Sequence, residues 1–231
     1  MDTIEAIILG IVQGLTEFLP VSSSGHLQIA KALMGVEIEQ NLLFDVTLHA
    51  ATVLSTIVVL WSEVARLLRG LFSRRFNEEQ AYVLKLLLSM IPIGIVGFTL
   101  KDRLDALLES PAILLVVGCM LLVTAALLAF AYYAKPRQKA QLSYRDAFLI
   151  GVAQAVAALP GLSRSGSTIA TGLLLGNRKQ TVAQFSFLMV LAPILGETFL
   201  ELMKGNLGAQ AIGSAPLAAG FVAAFVVGCL A

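Results

Sequence analysis

The sequence predicts an all-α polytopic membrane protein: an inverted-topology repeat with two re-entrant helix hairpins and at least five full transmembrane helices. Three observations predict it. Of 231 residues, 58% are hydrophobic and only 13% are charged, against roughly 25% charged in an average soluble domain. Mean hydropathy is +0.85, which leaves too few polar residues to cover a soluble surface. Stretches free of Asp, Glu, Lys and Arg recur at close to the roughly 20 residues that cross a hydrocarbon core as a helix. Two further apolar regions are interrupted by matching Pro-, Gly- and Ser-rich breaks. The same figures exclude a soluble globular enzyme and a disordered chain, and the net charge of +1 gives no case for nucleic acid as a partner.

Residues 2–36 hold two short apolar pieces broken at Leu19-Pro20-Val21-Ser22-Ser23-Ser24-Gly25. Neither piece crosses alone, and Pro and Gly disfavour continuing the helix. Broken helices at membrane depth occur where they are buried in protein or line a wet cavity, so this region is predicted to be a re-entrant hairpin. The first full span is 46–62, followed by a loop carrying Arg66, Arg69, Arg74 and Arg75. The second is 86–100, followed by Lys101 and Arg103 beside Asp102, Asp105 and Glu109. The third is 110–134, followed by Lys135, Arg137 and Lys139. Residues 144–176 repeat the broken pattern at Leu159-Pro160-Gly161-Leu162-Ser163-Arg164-Ser165-Gly166 and are predicted to form the second hairpin. The fourth span is 180–196, extending past Glu197 to residue 203. The fifth lies in 205–231 and starts near Pro216, because its first third is rich in Gly, Ser and Gln. Asp2 and Glu5 open the chain where a signal peptide would be basic. Cys119 and Cys229 sit in apolar runs without a CxxC, which excludes a disulfide scaffold and a Cys/His zinc site. The Arg-rich first loop and the Lys/Arg-rich third loop are expected in the cytoplasm by the positive-inside rule. The first hairpin then enters from outside and the second from the cytoplasm.

The two broken regions align. Gly10-Ile11-Val12-Gln13 matches Gly151-Val152-Ala153-Gln154, Leu19-Pro20 matches Leu159-Pro160, and Ser22-Ser23-Ser24-Gly25 matches Ser163-Arg164-Ser165-Gly166, at an offset of 141, or 140 at Leu-Pro. The spans near 43–61 and 81–100 map onto 183–203 and the last span, each pair running in opposite directions. Residues 1–231 are therefore expected to be one integral membrane domain, with repeat one at 1–134 and repeat two at 144–231. Inverted repeats place sites where broken elements meet. The span at 110–134 lacks a counterpart, so a final helix is expected to be missing and repeat two to be incomplete at its C-terminus.

Few groups here can do chemistry. His26 and His49 are the two histidines. Glu17, His26 and Arg164 lie in or beside the breaks, and an ionisable group within a membrane is by default a candidate for function. A Ser/Gly run opening a helix presents free N–H groups and a positive dipole end, an anion site. Ser22–Gly25 and Ser163–Gly166 supply two. Arg164 can grip two phosphate oxygens, and the hydroxyls of Ser22, Ser23, Ser24, Ser165 and Thr168 add donors. Glu17 would repel an anion, so it is expected to orient His26, hold a divalent cation or act as an acid/base. Ser, Arg or metal, and His/Glu together supply the nucleophile, charge neutralisation and proton handling of phosphoryl transfer. Bland readings stand beside these. Ser/Gly runs also serve as caps and close-packing elements, and Arg164 with Glu17 could be a structural clamp. His49, at i+4 from Asp45, shares a helix face with it and is better explained by a structural hydrogen bond than by metal binding. Gln13 and Gln154 suit interhelical polar contacts. Asp146 and Arg145 suit anchoring at a helix start.

The run Gln13-Gly14-Leu15-Thr16-Glu17-Phe18-Leu19-Pro20-Val21-Ser22-Ser23-Ser24-Gly25-His26, with Pro160-Gly161-Leu162-Ser163-Arg164-Ser165-Gly166, closely resembles the bacterial undecaprenyl-diphosphate phosphatase family, also called the bacitracin-resistance protein. The resemblance covers essentially the whole chain. It implies a phosphoric anhydride hydrolase that converts undecaprenyl diphosphate to the monophosphate carrier for peptidoglycan synthesis, and so confers bacitracin resistance. It implies Glu17, Ser23, His26 and Arg164 as catalytic residues. Ser22, Ser24, Gly25, Ser163, Ser165, Gly166 and Thr168 become substrate-binding positions. It also implies a divalent cation, Mg2+ or Ca2+, with Glu17 as a ligand and Gln13 as a weaker one, since many members carry a second Glu where this chain has Gln13. Members are usually longer, in keeping with the missing helix. The partners implied are a polyprenyl diphosphate and the bilayer of the bacterial plasma (inner) membrane, with the active site facing the periplasm or cell exterior. Oligomeric state is open, a homodimer included. Phosphatases of the lipid phosphatase superfamily also carry Ser-Gly-His, but no His follows Ser163-Arg164 here. The rival reading is a polyprenyl-phosphate transporter (flippase) using the same inverted repeat.

Overall fold

The computed structural model describes residues 1–36, 42–108, 110–133, 139, 141–196 and 213–231. The described residues form helices and no named strand. Lys135, Arg137, Glu109, the extension of the fourth span past residue 196 and the region 205–212 lie outside them.

The first hairpin consists of α1 (Thr3–Phe18) and α2 (Ser23–Met34). Asp2 caps α1 through a capping box with Glu5, and the break at Pro20 stops it. Next come α3 (Leu42–Val59) and α4 (Trp61–Leu71), bent by 78° at Leu60. The segment after Trp61 was expected to be a loop and is a helix. Val64 and Leu67 turn inward against α5 and α8 while Arg66 and Arg69 face out, so the run has the 3.6-residue apolar period of an amphipathic helix. Residues 101–108 were likewise expected to be a loop and form a short helix, α6 (Lys101–Leu108), between α5 (Glu78–Thr99) and α7 (Ile113–Tyr133). The second hairpin is α8 (Tyr144–Val156) and α9 (Arg164–Leu174), followed by α10 (Lys179–Met189), a short helical stretch at 191–196, and α11 (Ser214–Leu230).

Among the described residues α5, at 22 residues, and α7, at 21, are long and apolar enough to cross a membrane, and the bent pair α3–α4 adds a third candidate. The other two expected spans do not reach that length among the described residues: the fourth is divided at Val190 into the 11-residue α10 and the stretch at 191–196, and the fifth is the apolar but 17-residue α11. The outward faces of α5 and α7 are strongly apolar: Phe98 is 94% exposed and Leu122 72%. A soluble monomer does not carry such a surface.

Packing is reciprocal between the two halves. The first helix of hairpin one lies on α11, and the first helix of hairpin two lies on α5. Both contacts are backbone-close. A Cβ at Gly10 would collide with the carbonyl of Gly220, and one at Gly151 with the carbonyl of Ser89. Small residues at such crossings let helices approach without a hydrophobic driving force. The second helices of both hairpins contact α7, so the breaks are brought together beside it. One apolar cluster gathers Ala6, Leu9, Leu27, Phe44 and Leu48, and the other gathers Leu67, Leu86, Ile150 and Phe185. Lys31 is fully buried and bonds both carboxylate oxygens of Asp45 at 2.7 Å, which pins α2 to α3.

Candidate active site

The two breaks cap their second helices in the same way. Ser22 accepts a hydrogen bond from the Gly25 N–H at 3.3 Å, and Ser163 accepts one from Gly166 at 3.0 Å. Ser22 holds φ at 73°, the only positive φ outside glycine among the described residues, a conformation that costs energy in an L-residue. Neighbouring hydroxyls repeat the pattern. Ser22 and Ser24 oxygens are 3.4 Å apart, as are those of Ser163 and Ser165. The first turns of α2 and α9 thus each present N–H groups that lack intrahelical partners.

The breaks touch. Ser165 Oγ donates to the Leu19 carbonyl at 3.5 Å. A Cβ on Gly166 would sit 3.0 Å from the Pro20 carbonyl, and one on Gly25 would sit 3.2 Å from the Gly161 Cα. Glycine at these positions allows the close backbone approach. Across this seam Arg164 reaches Glu17, guanidinium to Oε1 at 3.0 Å, with side chains 29% and 12% exposed. The other carboxylate oxygen accepts a short hydrogen bond from Ser23 Oγ and one from Gln13 Nε2 at 3.0 Å. His49 Nε2 stands 3.9 Å from that oxygen. Both histidines direct Nδ1 at the backbone carbonyl one turn back, His26 to Ser22 and His49 to Asp45, each at 2.8 Å. A carbonyl only accepts, so Nδ1 carries the proton and, in the neutral ring, Nε2 carries the lone pair.

A small open cleft of about 20 Å³ adjoins this cluster. Its lining combines polar Glu17, Arg164, Ser165, Thr52, Thr56 and Ser186 with apolar Phe18, Val53, Phe187, Val190 and Ile194. Phe18 and Phe187 meet edge to face, with centroids 5.9 Å apart.

The sequence-predicted residues therefore divide. Glu17, Ser23, Arg164 and Gln13 come together. His26 lies on the first turn of α2, half-buried, with its described bond going to Ser22. No hydrogen bond joins it to Glu17 among the described residues, so the expected orienting contact is not made. Ser165 lines the cleft and Ser24 is exposed. Ser22 and Ser163 are buried caps. Thr168 is buried too, its hydroxyl bonded to the Arg164 and Ser165 carbonyls and, closely, to Ser186, which itself faces the cleft. Gln13 makes the expected interhelical contact, to Thr52 at 3.4 Å. Gln154 does not: it is buried with neither amide atom hydrogen-bonded. His49, Thr52, Thr56, Ser186 and Phe187 were missed as site residues. The signal for His49 was its place on the Asp45 face of α3; the others read as ordinary span residues.

For a divalent cation the protein donors are sparse. No cluster of three His, Cys, Asp or Glu side chains occurs among the described residues. Glu17 is the one carboxylate lining the cleft, and the Oε1 of Gln13 beside it is buried without a partner. Mg2+ commonly takes one or two carboxylates and fills its remaining positions with phosphate oxygens and water. This donor set fits that arrangement and does not fit an all-protein cage.

The chain is similar to known proteins over nearly its whole length. The family model described as "Bacitracin resistance protein BacA" matches residues 6–231. A protein of Parabacteroides distasonis named undecaprenyl-diphosphatase is 62% identical over 234 residues, covering 100% of this chain and 87% of its own length. Proteins of the same name from Bacteroides fragilis and Christiangramia forsetii are 61% and 51% identical, with the same coverage.

Proposed function

We infer function from the premise that this chain belongs to the bacitracin resistance protein BacA family: it is an undecaprenyl-diphosphatase, a membrane hydrolase of the lipid carrier used in cell-wall synthesis. The relatives' shared name supports hydrolysis, and nothing in those names favours the transporter reading. The observation that carries the site assignment is the meeting of Glu17 and Arg164 across the seam between the two breaks, with Ser23 donating to the same carboxylate.

In this reading the two breaks are re-entrant hairpins of an inverted repeat, and the reciprocal packing of α1 on α11 and of α8 on α5 supports it. The chain is a multi-pass protein of the bacterial plasma membrane, its active site facing the periplasm or exterior. The isoprenoid chain lies along Phe18 and Phe187, and the diphosphate lies against the polar residues of the cleft. Arg164, the first-turn N–H groups of α2 and α9, and Ser165 hold its oxygens; Ser24 and Gly25, and Gly166, belong to those turns. Ser22, Ser163 and Thr168 set the geometry of the turns. Ser23 Oγ attacks the terminal phosphorus. Its proton passes to Glu17, which is already its hydrogen-bond acceptor, as an activated nucleophile requires. The bond to the bridging oxygen breaks and undecaprenyl phosphate leaves. Water then hydrolyses the phosphoserine, with Glu17 and His26 handling protons. A divalent cation, Mg2+ or Ca2+, would be held by Glu17 and Gln13 Oε1 together with phosphate oxygens, and would supply charge neutralisation.

The test is orthophosphate release from undecaprenyl diphosphate by purified protein in detergent, with and without chelator. Detergent abolishes compartments, so release there is hydrolysis. No release from folded protein under any cation condition would overturn the assignment, and full activity in chelator would remove the cation.

A further inference from the structure

The bend at Leu60 carries α4 nearly perpendicular to α3, and the turn after it is held from one side only. The carbonyls of Gly70, Leu71 and Ser73 accept from the side chains of Asn77 and Gln80, at 2.9, 3.0 and 3.0 Å. Those two residues also form the capping box of α5. Arg66 is braced by Glu63 at 2.7 Å and Glu79 at 3.0 Å. The turn is thus fixed without Arg69, Arg74 or Arg75, which are exposed and have no hydrogen-bond or ion-pair partner among the described residues. Interleaved with them are Phe72, 83% exposed, and Phe76, 70% exposed.

We propose that α4 and the turn at 72–76 form a platform in the membrane interface that binds the headgroups of anionic phospholipids. The packing explains its orientation. Leu67 is buried against α5 and α8, so α4 lies on the protein while Phe72 and Phe76 point away from it. Aromatic side chains are favoured at the level of the headgroups. An amphipathic helix with basic residues and exposed aromatics lies in the interface plane. Three uncompensated guanidiniums beside those rings match phosphate in charge and in bidentate geometry. Each arginine near an anionic surface contributes about a fivefold preference, fading beyond a Debye length. The platform is continuous with α3, the helix that carries His49, Thr52 and Thr56, but it shares no residue with the cleft.

The chain has one tryptophan, so a Trp61→Phe, Phe72→Trp variant reports on the turn alone. Reconstituted in vesicles, its emission is expected to be quenched at least about fivefold more effectively by brominated phosphatidylglycerol than by brominated phosphatidylcholine at equal mole fraction. Adding Arg69→Gln, Arg74→Gln and Arg75→Gln, or raising salt to about 1 M, should equalise the two. Equal quenching in the arginine-bearing chain, or a preference that survives the triple substitution, would overturn the proposal. A second measurement uses the unmodified protein: its unfolding midpoint should rise on adding phosphatidylglycerol and lose that rise at about 1 M salt. A midpoint indifferent to phosphatidylglycerol would count against the platform.

Discussion

Replacing Arg164 with Met removes the guanidinium that reaches Glu17 Oε1 at 3.0 Å and leaves an apolar side chain of similar length. Two effects should separate. Breaking a fully buried ion pair costs about 3–5 kcal/mol, and an exposed pair is worth about 0.2–1 kcal/mol. With side chains 29% and 12% exposed, and Ser23 and Gln13 still donating to Glu17, the loss in stability should be about 1–2 kcal/mol. The rate should fall further, because a donor aimed at the charge of the transferring group is worth about 10²–10³-fold. The assay is orthophosphate release from undecaprenyl diphosphate in detergent, normalised to folded protein, alongside the unfolding midpoint. The double variant Glu17→Gln, Arg164→Met removes the stranded carboxylate, so stability should return towards the parent while activity stays lost. A single variant retaining more than about a tenth of the parent rate, or a double variant with restored activity, would reduce Arg164 to a structural clamp and refute the reasoning.

Three other outcomes are expected. Ser23→Ala should lower phosphate release at least about 10³-fold, with a loss of only about 1–3 kcal/mol of stability from the bond to Glu17, measured on the same preparation; a small loss of rate would move the attack to His26 or water. Phe187→Ala should shrink the preference for a long-chain over a short-chain prenyl diphosphate about tenfold in kcat/KM, because an apolar contact discriminates by roughly 1–3 kcal/mol. Gly10→Val should push α11 away from α1, where a Cβ would meet the Gly220 carbonyl and Ala223, and lower stability by about 1–3 kcal/mol by overpacking, read as an earlier thermal unfolding in detergent.

The breaks were legible because Pro20, Pro160 and the Ser/Gly runs act locally: each stops one helix and caps the next within a few residues. The apolar spans of α5 and α7 were legible for the same reason. Partner identity was not. That Glu17 faces Arg164, Ser23, Gln13 and His49 and leaves His26 aside depends on how α1, α3 and α9 are rotated about their axes. No period in the sequence encodes that rotation. Thr168 illustrates the gap: its place in the motif suggested a phosphate ligand, yet its hydroxyl is spent on the Arg164 carbonyl and on Ser186, from a helix whose register against α9 only the fold sets. Segment 61–71 reads as a loop in the sequence because its four-arginine neighbourhood outweighs the modest apolar stripe of Val64 and Leu67. Lys31 was passed over because a buried lysine is credible only once Asp45 is seen opposite it.

The central claim is that two breaks, far apart in sequence, build one diphosphate site. A structure of the purified protein bound to a polyprenyl methylene-diphosphonate, whose terminal phosphorus cannot be released from the chain by cleavage at a bridging oxygen, tests it directly. The terminal phosphonate should contact Arg164 and lie beside Ser23 Oγ, flanked by the first turns of α2 and α9, with the chain passing Phe18 and Phe187. A headgroup bound away from Arg164 and Ser23, or held by one hairpin alone, would contradict the account.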